Sequence, residues 1–104
     1  MERDELLARI KAALEDAFGG RLEGVILYGS EARGEAEPDS DIDLLVLLSG
    51  PTDHRSDSWT CINALYDLVL ELERPIHTIP VDVSVYEAQE FALYRNVKQE
   101  GIPA

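Results

Sequence analysis

The chain is poor in several things at once, and each shortage excludes something. It has one cysteine, Cys61, so no intrachain disulfide can form, which fits a reducing interior. Its longest apolar run is Leu44 to Leu48, far short of a membrane span. The start, Met1-Glu2-Arg3-Asp4-Glu5, is too polar for a signal peptide, and a cytoplasmic protein is expected. Basic residues are scarce as well: nine Lys and Arg stand against 21 Asp and Glu, for a formal net charge of −12. Nucleic-acid binding depends on neutralising phosphates with cations, so a long RNA or DNA substrate is disfavoured. A small substrate or a basic protein partner fits that balance better. At 104 residues, one domain spanning 1–104 is expected, with a core but no room for a second domain. A partner or self-association, as homo-oligomer or hetero-complex, is expected to supply what so short a chain lacks.

The informative stretch runs from Gly29 to Leu44. A Gly-Ser pair, Gly29-Ser30, follows the apolar run Val25 to Tyr28, and an Asp-x-Asp pair, Asp41 and Asp43, heads the apolar run Leu44 to Leu48. Gly29 allows a sharp turn off a strand, and Ser30 can cap a short helix through Arg33 that Gly34 ends. Free N–H groups at such a turn favour an anion, phosphate above all. Asp41 and Asp43, two apart on a strand, share a face with Cα atoms about 6.5–7 Å apart. Magnesium takes one or two carboxylates plus phosphate oxygens, so the pairing points to metal-dependent phosphoryl or nucleotidyl transfer.

The flanking periodicities predict an α/β (α+β) fold in the order αβαβαβα, with a small mixed sheet of about three strands. In residues 3–18, Leu6, Leu7, Ile10, Ala13, Leu14, Ala17 and Phe18 fall within an arc of roughly 140°, an amphipathic helix stopped by Gly19-Gly20. Residues 41–48 form the second strand, with Asp41, Asp43, Leu45 and Leu47 on one face. A helix is predicted over 56–74, closed by Pro75. Its apolar residues, Trp59, Cys61, Ile62, Leu65, Tyr66, Leu68, Val69 and Leu72, span roughly 200°, more than one core contact needs. The surplus edge is expected to meet another subunit or a partner. Residues 79–86 alternate as a third strand, with Val81, Val83 and Val85 on one face and Asp82 and Ser84 on the other. A connection of about 30 residues suits a parallel crossover, which would lay Asp82 beside Asp41 and Asp43. A last helix is predicted over 87–99. Gly29 and Gly34 have P-loop spacing, but Glu35 and Ala36 stand where Lys and Ser or Thr belong. His54 and His77 fall in expected loops, outside any Cys or His cluster, and are given no metal role.

Gly29-Ser30, the ten-residue gap, Asp41-x-Asp43 and the internal Ala32-Arg33-Gly34 resemble the signature of the polymerase-β-type nucleotidyltransferases. Among them the chain is most similar, over nearly its whole length, to the minimal nucleotidyltransferases. The resemblance implies that Asp41, Asp43 and Asp82 hold two Mg2+ ions and carry catalysis, with Asp82 nearest the nucleophile. It implies that Gly29, Ser30, Arg33 and Ser40 bind the nucleotide, and that AMP passes from ATP to a hydroxyl. It further implies an antitoxin that adenylylates a tyrosine of a HEPN-type ribonuclease toxin. Glu31 departs from the family, placing negative charge near the triphosphate. A non-catalytic antitoxin that acts by binding, or transfer to a small molecule, are the alternatives.

Overall fold

The computed structural model describes residues 1–104. Helix α1 (Arg3–Phe18) matches the predicted span and ends at Gly19, whose φ of 60° the absent side chain permits. A short 3-10 turn leads into strand β1 (Leu22–Tyr28), then helix α2 (Gly29–Arg33), closed by Gly34 in the left-handed region. Strand β2 (Ile42–Leu48) follows, and helix α3 (His54–Leu72) begins where the Asp53 side chain accepts hydrogen bonds from the Arg55 and Ser56 N–H groups. Then come strand β3 (Ile76–Asp82), helices α4 (Val83–Ala88) and α5 (Ala92–Glu100), and the two-residue strand β4 (Ile102–Pro103). No helix is long and apolar enough to cross a membrane.

The sheet is mixed and has four strands in the order β3-β2-β1-β4. Strand β2 runs antiparallel to β1 and parallel to β3, as the long helical crossover required. Alternation along β2 sends its side chains to two cores. Ile42, Leu44, Val46 and Leu48 pack with Leu6, Ile10 and Leu14 of α1 and Cys61, Leu65 and Leu68 of α3. Leu45 and Leu47 pack with Val81 and with Val97 of α5 on the other face. The site aspartate Asp43 belongs to that second face, at its open end.

The mixed sheet of about three strands carries a short fourth, β4, which pairs with the outer edge of β1. It fits there because Gly101 has no side chain: a Cβ would lie 2.5 Å from the Ile26 Cγ2 and against the Val97 carbonyl. The predicted last helix is two helices, α4 and α5. The third strand runs over 76–82 rather than 79–86, and this shift matters most. The Asp82 carboxylate accepts hydrogen bonds from the Ser84 N–H (2.9 Å) and the Ser84 hydroxyl (2.7 Å), so Asp-Val-Ser caps α4 where the valine alternation suggested more strand.

Candidate active site

The Gly29-Ser30 turn and the Asp43 carboxylate are in direct apposition. Gly29 has φ +77°, and a Cβ placed there would lie 2.5 Å from the Asp43 Oδ2. A side chain at position 29 would strain the backbone and displace the carboxylate. Cross-strand register explains it: Tyr28 pairs with Asp43, so the residue after Tyr28 leaves the sheet beside that carboxylate. Helix α2 starts at Gly29, not after a Ser30 cap: the capping position is Tyr28, with no side-chain cap. The first N–H groups of such a helix have no partner within it. The Tyr28 hydroxyl is pushed to a higher pKa, first by burial and second by the charge of Asp43.

Asp43 is about one-quarter exposed, between buried Ile42 and Leu44, and Asp41 just before the strand is exposed. The Ser40 hydroxyl accepts from the Glu37 N–H (2.8 Å), bracing the turn that presents both aspartates. Arg33 makes surface ion pairs with Glu35 (3.3 Å) and Glu100 (3.4 Å). Exposed pairs of this kind are weak, so the guanidinium can exchange them for a phosphate.

Two residues that the sequence reading missed complete the surroundings. Arg74 donates from Nε to the Ser40 carbonyl (2.9 Å) and pairs through Nη1 with Glu31 (2.8 Å), with both side chains largely covered. It ties α2 to the turn before Asp41, and it engages the Glu31 charge that had seemed out of place near a triphosphate. The second is His77, predicted to lie in a loop. It is on β3, paired in register with Asp43, and its Nδ1 is 3.5 Å from the Asp43 Oδ1. The early start of β3 after Pro75, whose carbonyl accepts from the Ile42 N–H, was the feature hidden in the sequence.

Asp82 is not part of this group. It pairs with Leu48, five residues along the parallel ladder from the Asp43–His77 pair, or about 17 Å at strand rise. Its ladder position also belongs to the opposite face from Asp43, because directly paired residues share a face. Its carboxyl is held below the usual range, first by the Ser84 hydroxyl and then by the Ser84 N–H. No three His, Cys, Asp or Glu side chains converge to hold a metal ion unaided. The expected three-carboxylate, two-ion cluster therefore does not fit. A single divalent ion completed by substrate oxygens does fit the chemistry of Asp41 and Asp43.

Comparison with known proteins identifies the family and the fold. The model of the nucleotidyltransferase domain matches residues 7–103. MJ0604 of Methanocaldococcus jannaschii, provisionally named a protein adenylyltransferase, is 28% identical over 102 residues, covering 97% of this chain and 96% of that protein. MJ0141 of the same organism, named likewise, is 38% identical over 48 residues, 46% of this chain and 48% of that one. A chain in a toxin–antitoxin crystal structure with AMP-PNP superposes with a TM-score of 0.67 at 22% identity, over 92% of this chain and 69% of that chain. A chain of a mutant MntA–HpeT toxin–antitoxin complex gives a TM-score of 0.61 at 17% identity, over 100% and 72%. The fold, the Gly29–Asp43 apposition and the match over 7–103 lead to one assignment: the chain belongs to the nucleotidyltransferase domain family.

Proposed function

We propose that this nucleotidyltransferase transfers AMP from ATP to a hydroxyl of a partner protein, as the adenylylating antitoxin of a toxin–antitoxin pair in the cytoplasm. The observation that carries the reading is the contact between Gly29 and Asp43, which sets a phosphate-accepting turn against a partly buried carboxylate. The main chain of Gly29 and Ser30, with the Ser30 hydroxyl and Arg33, grips the β and γ phosphates; Ser40 shapes the turn beneath them. Asp41 and Asp43 hold the divalent ion, Mg2+ in the family at large, which supplies charge neutralisation at the phosphates when bound. The acceptor oxygen forms a bond to the α-phosphorus as the bond to pyrophosphate breaks, and its proton leaves through exposed Asp41 or directly to water. Asp82 has no part in these steps.

The partner we propose is a HEPN-type ribonuclease toxin, with a tyrosine as acceptor. Support comes from the toxin–antitoxin context of the structural neighbours and from an apolar outer face on α3. Trp59 (64%), Ile62 (51%), Tyr66 (56%) and Leu70 (59%) are exposed at helical spacing, while Cys61, Leu65 and Leu68 fill the core. The surplus arc seen in the sequence is thus left open. Transfer of label from α-labelled ATP to the partner tests the enzyme reading, with Asp41→Asn and Asp43→Asn abolishing it. Equal suppression of the toxin by wild type and the double variant, without label, would instead mean neutralisation by binding alone.

A further inference from the structure

With Asp82 committed to α4, no third carboxylate joins Asp41 and Asp43, and each oxygen of Asp43 has a different close neighbour. Oδ2 faces the backbone of Gly29, and Oδ1 faces Nδ1 of His77 at 3.5 Å. His77 is held there by register: the Asp43–His77 pair lies across neighbouring strands β2 and β3, so both side chains leave the same face. The imidazole is 63% exposed, free to adjust and open to a ligand arriving from solvent. Cis ligands of an octahedral ion with bonds near 2.1 Å lie about 3.0 Å apart. The observed 3.5 Å separation closes to that with a shift of about half an ångström in the exposed ring.

We propose that His77 is a metal ligand in this chain, replacing the missing third carboxylate, so that the nucleotide-bearing cation sits between a carboxylate oxygen and an imidazole nitrogen. The proposal rests on the nucleotidyl-transfer reading above and deepens it by naming the ion. Mg2+ prefers an all-oxygen shell, whereas an imidazole nitrogen suits first-row transition ions. The mixed set Asp43–His77, flanked by Asp41 and completed by phosphate oxygens, therefore favours Mn2+ over Mg2+. This also accounts for the absence of a tight three-residue cluster: the protein supplies two close ligands and the substrate supplies the rest.

The test is Mn2+ binding by untagged protein with a non-hydrolysable ATP analogue, followed by electron paramagnetic resonance. The free Mn2+ signal gives the affinity, and pulsed measurement detects directly bound 14N. Wild type is expected to show nitrogen coupling. In His77→Ala the coupling disappears and Mn2+ affinity falls at least tenfold, while Mg2+ affinity changes much less; Asp82→Asn behaves as wild type. Because His77 is exposed, circular dichroism should show both variants folded. No nitrogen coupling in wild type, or unchanged Mn2+ affinity in His77→Ala while Asp43→Asn loses it, would overturn the proposal and leave the nucleotidyl-transfer site standing. Full Mn2+ affinity in Asp43→Asn would overturn both.

Discussion

The Asp43 carboxylate occupies the space a side chain on Gly29 would need, with Oδ2 2.5 Å from the position of the missing Cβ. The Asp43 carboxylate and the Gly29-Ser30 turn are therefore in direct apposition, and a side chain at position 29 would displace one or the other.

Gly29→Ala should disable the enzyme while leaving it folded. A methyl at φ +77° costs about 1–2 kcal/mol in backbone strain and pushes the carboxylate off its position. We expect label transfer from ATP to drop at least a hundredfold, with circular dichroism unchanged and the melting temperature lowered by several degrees.

Arg74→Met should act through the nucleotide. It removes the tie between Glu31 and the Ser40 carbonyl and leaves a largely covered carboxylate without its partner. A stability loss of about 2 kcal/mol is expected, together with a KM for ATP raised about tenfold. Arg74→Lys should not restore it, because a single ammonium cannot serve both acceptors in the fork geometry.

Asp82 separates the geometry found here from the one expected from the family. Asp82→Asn keeps an oxygen for the Ser84 N–H, so folding and transfer should both survive; Asp82→Ala should lower the melting temperature with transfer intact. Its folded pKa is depressed, so its contribution is present above the ordinary carboxylate range and is lost as pH falls through the lowered value. Loss of transfer in Asp82→Asn would contradict the placement of β3.

Acid stability should depend chiefly on Asp57. This buried carboxylate accepts two hydrogen bonds from Arg21 (3.0 and 3.1 Å) and one from the Asp53 N–H (3.1 Å). Arg21 holds its pKa below the usual range against the opposing effect of burial. The sign follows directly: the stabilisation is complete above pH about 4, and disappears as pH falls from there through the lowered folded value. Asp57→Ala should cost about 2 kcal/mol at pH 7, discounted for the exposed half of Arg21, and should flatten the acid limb of a denaturation curve.

Much of this was legible beforehand, for physical reasons. The α1 span follows from its apolar arc and the Gly-Gly stop, and the Gly29–Asp43 relation follows from a turn and a charged pair bracketing two apolar strands. Gly34 closes α2 as its left-handed geometry suggested. What failed was register. Val81, Val83 and Val85 alternate as a strand does, but a carboxylate two residues before a serine competes as a helix cap, and only tertiary pairing from Pro75 onward decides between them. That single choice moved Asp82 out of the site and brought His77 in. Arg74 and the Arg21–Asp57 pair were invisible because each joins residues over 30 positions apart, with no local pattern.

Cys61 lies fully buried where α3 rests on the sheet, and desolvation pushes its thiol up to about 11. The native protein should consequently be inert to thiol-directed probes, and modification can occur only when α3 lifts from β2 and β3. The lone sulfur thus serves as a clock for that opening, timing the looseness of the helix whose outer side exposes Trp59, Ile62, Tyr66 and Leu70.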